Sequence, residues 1–195
     1  MKTHGVTEVN VLFEDTIQAG AGLVMPGEVS VDTGMRIRTF TGKWIDPFCI
    51  RPWDIDIRDI AHALARLCRF TGHVNGYYSV AEHCVRVSRK CSPDNALWGL
   101  LHDAAEAYLG DVSRPLKCRP EYAFFRRAEA DILRAVADRY DLPHEVPHDV
   151  IALDDEFGNR ELKTLVLGHE TDGWACEVAE DRYLAAFSAA RELRY

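Results

Sequence analysis

Apolar residues recur with the period of a helix along most of the chain beyond residue 56. In residues 57–68 they fall three and four positions apart, which forms one helix face, and Asp56 precedes them as an N-terminal cap. Ser79, with Glu82 three residues later, predicts a capping box at the start of the next helix. The predicted helices are residues 57–68, 80–89, 93–109, 121–140, 148–167 and 174–193. The predicted fold class is therefore all-α, a bundle of about six helices.

The pattern before the helices is different. Residues 1–34 hold many Gly and Val residues and alternate weakly, which is typical of short strands or an extended arm. Residues 35–45 contain two short alternating runs around Thr41-Gly42, and this predicts a small β-hairpin. Met35 is itself a candidate translation start. We therefore expect an N-terminal extension, residues 1–34, and one main domain, residues 35–195.

The composition is that of a single soluble domain. Of 195 residues, 47% are hydrophobic and 28% are charged. The net charge of −8 disfavours a broad surface for duplex nucleic acid but is compatible with a small phosphorylated ligand. Residues 16–27, the longest uncharged stretch, contain Gly and Pro and cannot span a membrane, and the N-terminus lacks the features of a signal peptide. Six cysteines without a CxxC pair are typical of reduced core thiols, so the expected location is cytoplasmic.

The most informative local pattern is a His-Asp pair in the third predicted helix. His102 and Asp103 are neighbours, and Glu106 lies about one helical turn later on the same side. Imidazole and carboxylate groups suit divalent first-row metals. Taken alone, such a pair is more often a chance dipeptide on a solvated helix edge than a metal site.

Further residues change that balance. His83 is flanked by valines, where a lone histidine is more often a core residue than a ligand. Asp154 and Glu161 lie in a largely apolar helix, where acids are costly unless they are paired or coordinated. Asp111 follows a helix-stopping glycine and precedes basic residues, among them Lys117, that can hold phosphate.

The order of these residues resembles the H…HD…D motif of HD-domain phosphohydrolases. The likeness covers about residues 36–166 and is carried by CRFTGH (68–73), YSVAEH (78–83), LHDAAEAYLGD (101–111) and RPLK (114–117). These segments are similar to one subgroup, which includes bacterial 5′-deoxynucleotidases and small phage-encoded dATP triphosphohydrolases. The resemblance implies an HD-domain helical bundle in the cytosol of a bacterium or of a phage-infected host.

The resemblance also implies a metal site and its ligands. One catalytic divalent ion, with a second not excluded, would be Co²⁺, Mn²⁺, Mg²⁺, Zn²⁺ or Fe²⁺. Its ligands would be His83, His102, Asp103 and Asp154. Asp154 is preferred because the family places a glutamate seven residues after its ligand, as Glu161 is here, and Asp155 stays an alternative.

The same resemblance implies roles for acids and bases near the metal. Glu106 and Asp111 would orient or deprotonate the attacking water. Arg69 and Lys117 would contact phosphate, although Arg69 is also interpretable as a cation at a helix C-terminus and Lys117 as a solvated loop residue. His73, in a glycine-flanked loop, is a further candidate for substrate contact. One aromatic residue is a candidate for stacking on a base, the alternative being a place in the core; the candidates are Trp44, Trp53, Phe70, Tyr77 and Tyr78.

The function implied is metal-dependent hydrolysis of (deoxy)nucleotide phosphoesters. The favoured substrate is dATP, cleaved to deoxynucleoside plus triphosphate or to successive phosphates. The alternatives are a 5′-deoxynucleotidase acting on monophosphates, hydrolysis of an alarmone or a cyclic nucleotide, a non-catalytic nucleotide-binding regulator, and a structural helical adaptor. Assembly into a homo-oligomer is left open, with the helix over residues 174–193 as its candidate interface.

Overall fold

A short antiparallel hairpin opens the part of the chain that the structure describes. The structure is a computed structural model that describes residues 36–168 and 173–194. Strand β1 (Ile37–Arg38) pairs with β2 (Trp44–Ile45), and Ile37 lies opposite Ile45. Gly42 has a φ of +90° in the connecting turn, a conformation that favours glycine. The predicted hairpin is confirmed, whereas the predicted extension, residues 1–34, lies outside the described residues.

Helices form most of the remaining described residues. They are α1 (Ile57–Arg66), α2 (Val80–Ser88), α3 (Ala96–Leu101), α4 (Glu106–Leu109), α5 (Arg114–Lys117), α6 (Ala123–Tyr140), α7 (His148–Glu161) and α8 (Cys176–Glu192). The predicted helical fold class is therefore confirmed, and the short helix α5 is an element that the pattern did not predict. Within the described ranges, no helix is both long and apolar enough to cross a membrane.

The predicted caps are present, with one difference. Asp56 Oδ1 accepts the Arg58 N–H at 3.0 Å, and Ser79 Oγ accepts the Glu82 N–H at 3.1 Å. The second half of the predicted capping box is missing, because the fully buried Glu82 carboxylate turns to other donors. It accepts the Trp174 N–H at 2.7 Å, which ties the segment before α8 to α2.

The prediction of one continuous helix over residues 93–109 is wrong. The segment begins with a 3-10 turn, Pro93–Asn95, and residues 102–105 then separate α3 from α4. Across this break the backbone hydrogen bonds span three residues rather than four, as in the bond from the Glu106 N–H to the Asp103 carbonyl at 3.0 Å. Side chains three apart line up in such a turn, so Asp103 and Glu106 share one side.

A side chain explains the break. His102 Nδ1 donates to the carbonyl oxygen of Gly99 at 2.9 Å, and this is the acceptor that the Asp103 N–H would use in a continuous α-helix. Gly99 is itself held close to α2, since a Cβ at this position would lie 2.5 Å from Cys91 Sγ and 3.0 Å from Ser88 Cα. The glycine therefore lets α3 approach α2, and its carbonyl fixes the His102 ring.

The predicted fifth helix changes its period near its end. After Glu161 the chain forms one π turn, Leu162–Val166, in which the Leu167 N–H donates to the Leu162 carbonyl at 3.1 Å. Asn75 holds this turn from outside, donating from its side chain and its backbone to the Leu165 carbonyl, each at 3.0 Å. The turn thus joins α7 to the loop that precedes α2.

The core is formed mainly by α1, α2, α3, α6 and α8, with α4 adding buried Tyr108, and α7 packs on α2. Helix α8 buries Ala179, Tyr183 and Ala190, and the Tyr183 hydroxyl donates to the Leu100 carbonyl at 2.8 Å. The buried face of the helix that we considered as an interface between copies therefore packs within its own chain. Contact between α2 and α7 brings residues more than seventy positions apart next to each other.

Candidate metal centre

Three of the predicted ligands meet where α2 faces the break between α3 and α4. His83 comes from α2, and His102 and Asp103 come from the break. One ligand atom of each lies within 4.8 Å of the other two. The two imidazole rings stand edge to face, with centroids 5.4 Å apart. His83 is fully buried, and only 7% of the His102 side chain is exposed.

Helix α7 adds the fourth predicted ligand. Asp154 Oδ1 lies 3.0 Å from Nε2 of His83 and 3.7 Å from Nε2 of His102. The neighbouring Asp155 leaves the helix in another direction, and its half-exposed carboxylate pairs with Arg114 at 2.7 Å. Of the two candidate aspartates, Asp154 is therefore the one in contact with both histidines.

The outer nitrogens of both histidines are occupied by acceptors. His83 Nδ1 lies 3.0 and 3.1 Å from the two carboxylate oxygens of Glu161, and His102 Nδ1 donates to the Gly99 carbonyl. A proton held on Nδ1 leaves the lone pair of a neutral imidazole on Nε2. Both Nε2 atoms face the acids, so each ring is oriented as in metal-binding histidines, whose other ring nitrogen is bonded to a carboxylate or a backbone carbonyl.

The donor set fits a divalent cation. It combines two imidazole nitrogens with the carboxylates of Asp103 and Asp154, a mixture that suits first-row transition metals. Nε2 of His102 is buried and has no hydrogen-bond partner among the described residues, which leaves a nitrogen with an unused lone pair or proton aimed at the acids. Asp103 Oδ2 lies 3.2 Å from that nitrogen.

Charges in the cluster shift its proton equilibria strongly in the absence of metal. Burial opposes protonation of His102, but the charges of Asp103 and Asp154 outweigh it, so the pKa of His102 lies well above 6.5. Burial raises the pKa values of Asp103 and Asp154, but the two histidines outweigh burial and hold both values below the usual range. The two acids therefore favour a proton on His102, and a metal ion at this site would replace that proton.

Two further acids are shifted in the opposite direction. Burial raises the pKa of Glu106 well above its ordinary value, and the charges of Asp103 and Asp111 add to this. Burial also raises the pKa of Asp111, against the opposing charge of Arg69. Neighbouring acids with pKa values pushed apart are typical of sites that transfer protons, since a raised pKa suits a proton acceptor near neutral pH.

Glu161 connects three of the site's side chains. It is 3% exposed, faces His83 Nδ1, and accepts from the Tyr78 hydroxyl at 2.7 Å and from Arg69 Nε at 3.0 Å. Arg69 also reaches Asp103, at 3.6 Å. Burial raises the pKa of Glu161, but its contacts with His83 and Arg69 outweigh burial and lower it. The sequence marked Glu161 as a costly acid in an apolar helix and as a spacing marker for Asp154, but it did not show that Glu161 contacts His83, Tyr78 and Arg69.

Tyr78, one of the aromatic residues considered for stacking on a base, has a different place. Only 4% of it is exposed, and its hydroxyl is bound to Glu161. The turn that precedes it is strained, because Phe70 and Thr71 have φ values of 56° and 55°, in the left-handed region. Such strain often accompanies functional sites, and here it lies next to Arg69.

The other predicted site residues are Lys117, Asp111 and His73, and they differ in their contacts. Lys117 Nζ is 3.3 Å from Glu106 Oε1 and 2.6 Å from Glu129 Oε1. Sequence reasoning missed Glu129, because an acid on the polar face of a long helix carries no signal of its partner. Asp111 is half-buried and accepts no hydrogen bond from the described residues. His73 is exposed, and among those residues no contact links its imidazole to the cluster.

Comparison with known proteins gives relatives for part of the chain. No protein-family model matches it. YfdR of Escherichia coli is 42% identical over 108 residues, which are 55% of this chain and 59% of YfdR. RCAP_rcc00048 of Rhodobacter capsulatus is 35% identical over 119 residues, 56% of this chain and 60% of that protein. Both are named as uncharacterized proteins. The chain thus matches about three fifths of the length of each relative and is similar to both over little more than half of its own length.

Proposed function

We propose that this protein is a metal-dependent phosphohydrolase of the HD-domain type that acts on nucleotides. The observation that carries the proposal is the orientation of two buried histidines, each with Nδ1 bound to an acceptor and Nε2 facing Asp154. A histidine that merely fills a core has no need of a second imidazole and two carboxylates around its free nitrogen.

The ion would be held by the four residues of the cluster, His83, His102, Asp103 and Asp154. A divalent ion held there would lower the pKa of a water and neutralise negative charge on a phosphoryl group. Glu161 keeps the Nδ1 proton of His83 in place, and Gly99 does so for His102. The protein therefore supplies an oriented and preformed set of donors.

The side chains around the cluster supply the other parts of the reaction. Arg69 and Lys117 bind the phosphate of the substrate and stabilise the charge of the transition state. Glu106 or Asp111, whose pKa values are raised, accepts the proton of the attacking water. Glu106 Oε2 is buried and has no hydrogen-bond partner among the described residues, which leaves it available to accept a hydrogen bond from the attacking water.

The proposed substrates are deoxynucleotides, with dATP favoured, and the support for this choice is the resemblance of the sequence motifs. Hydrolysis of dATP would yield deoxynucleoside and triphosphate, or successive phosphates. A 5′-deoxynucleotidase acting on monophosphates uses the same groups, so the identity of the product decides between them. The proposed substrate is a small molecule, and the proposal includes neither a nucleic-acid partner nor a membrane partner.

A product assay tests the proposal. Purified protein is incubated with dNTPs, NTPs and monophosphates in the presence of Co²⁺, Mn²⁺ or Mg²⁺, and the products are separated by chromatography. We expect a deoxynucleoside with triphosphate or phosphate, abolished in His102→Ala and retained in Asp155→Asn, which alters the exposed neighbour of Asp154. Absence of turnover with every metal and nucleotide would refute the proposed enzymatic activity. Metal binding without turnover would favour a nucleotide-binding regulator.

A further inference from the structure

Three residues of α6 hold Lys117 from outside the metal cluster. Glu129 Oε1 lies 2.6 Å from Nζ, and the ring centroid of Phe125, one helical turn earlier, lies 5.9 Å from it. Arg126 donates to the backbone carbonyl of Lys117, and to that of Arg119 at 2.9 Å. Helix α6 thus fixes both the backbone and the ammonium group of this lysine.

The two carboxylates around Lys117 share it unequally. Its ammonium lies 3.3 Å from Glu106 Oε1 and 2.6 Å from Glu129 Oε1. The other oxygen of Glu106, Oε2, is buried and has no hydrogen-bond partner among the described residues. The shorter contact with Glu129 therefore draws Lys117 to one side and leaves an oxygen of Glu106 uncommitted.

Loss of the Glu129 charge would change this balance. The side chain of Glu106 is 7% exposed and that of Lys117 is 24% exposed, so their attraction is only weakly screened by water. Without the competing acid, Lys117 would close on Glu106 and occupy both of its oxygens. The lysine would then be withdrawn from phosphate, and the glutamate from water.

We propose that Glu129 is a positioning residue that holds Lys117 between α6 and the metal cluster, ready to receive a substrate phosphate. This inference rests on the proposed phosphohydrolase function and deepens it. Glu129 acts through Lys117 alone. Arg126 supports the same arrangement through the backbone carbonyl of Lys117.

Steady-state kinetics with matched variants test the inference. Glu129→Gln removes the charge at nearly constant volume, and Glu129→Asp keeps the charge. Asp131→Asn is the control, since Asp131 lies on the same helix, is 56% exposed and pairs with Arg134 at 3.4 Å. We expect Glu129→Gln to lower kcat/KM about tenfold, mainly through KM, as the loss of a charge-assisted contact predicts. Glu129→Asp should recover part of the loss, and Asp131→Asn should match the wild type.

Coupling to Lys117 distinguishes positioning from a general structural effect. In a Lys117→Ala background, Glu129→Gln should cause no further loss, because the group that it positions is gone. An equal loss in both backgrounds, or wild-type kinetics for Glu129→Gln, would overturn the inference.

A measurement without turnover separates this inference from the proposed function. Lysines are reductively methylated with ¹³C-formaldehyde, and the NMR signal of Lys117 is assigned by its loss in Lys117→Arg. Glu129→Gln should shift this signal and lower the pKa of Lys117, because one of the acids that raise it is removed, whereas Asp131→Asn should not. An unmoved signal overturns the positioning role. A moved signal in a protein that hydrolyses no nucleotide supports the hold of Glu129 on Lys117 but refutes the phosphohydrolase function.

Discussion

Replacement of Glu161 by glutamine tests whether this residue orients His83 in the candidate metal centre. The carboxylate of Glu161 faces three donors, namely Arg69 Nε at 3.0 Å, the Tyr78 hydroxyl at 2.7 Å and His83 Nδ1 at 3.0 Å. A glutamine keeps one acceptor oxygen and turns an NH₂ group toward at least one of these donors. At least one buried donor is then unmatched, and a buried guanidinium loses its closest opposite charge.

The expected loss in the free energy of unfolding follows from these contacts. An unmatched buried donor costs roughly 1–3 kcal/mol, and removal of one partner of a buried ion pair roughly 3–5 kcal/mol. Asp103, 3.6 Å from Arg69, compensates part of the lost charge. We therefore expect the free energy of unfolding of the metal-free protein to fall by about 3 kcal/mol. The affinity for metal should fall about 10- to 100-fold, as is usual when a group that orients a metal-binding histidine is replaced.

Two measurements check this expectation. Urea denaturation in the presence of EDTA, followed by circular dichroism, gives the free energy of unfolding, and calorimetric titration with Mn²⁺ gives the affinity. Glu156→Gln, an exposed glutamate on the same helix, is the control. If Glu161→Gln kept both the stability and the affinity of the wild type, Glu161 would not orient His83.

The remaining predictions concern the ligands and their surroundings. Asp154→Asn should abolish tight metal binding in calorimetry, whereas Asp155→Asn should bind like the wild type because its side chain is half exposed; equal losses would contradict the ligand assignment. The raised pKa of His102 means that metal must displace a proton there, so the affinity should rise with pH, and titrations in two buffers of different ionisation enthalpy should detect proton release; an affinity independent of pH would contradict this. Without metal, the same proton contributes stability that is fully present below pH 6.5 and is lost as pH rises through the raised pKa of His102, a loss that urea titrations at several pH values would measure. Gly99→Ala should cost about 1–3 kcal/mol, because its Cβ would overlap Cys91 Sγ, and Cys91→Ala should recover part of this; an unchanged melting temperature would refute the close packing.

The hydrophobic period predicted where the helices lie but not where they break. The interruption at His102 depends on a side-chain bond to the Gly99 carbonyl, and this bond leaves the apolar pattern of the helix unchanged. The π turn after Glu161 likewise preserves the apolar positions while it changes the backbone bonding. Period alone therefore locates an element and cannot show a local change in its hydrogen bonds.

The candidate site shows a similar division. An acid in an apolar helix, such as Asp154, is visible in the sequence because burial of an unpaired charge is costly. The position of Tyr78 was not visible in the sequence, because an aromatic residue beside a loop is compatible with both a binding surface and a core. Glu129 gave no signal at all, because its partner Lys117 lies on another element, and only packing of α6 against α5 brings the two together.

The origin of the site's residues in distant parts of the chain has a consequence for folding kinetics. His83 and Asp154 are 71 positions apart, and Arg69 and Glu161 are 92 positions apart. Such long-range contacts form late, after the entropy of closing the intervening loop has been overcome. A metal ion at the proposed site would find its complete set of ligands only once α7 has docked, and it would stabilise only that state. If the proposal holds, added metal should slow unfolding much more than it accelerates refolding, and would lengthen the lifetime of the folded protein rather than speed its formation.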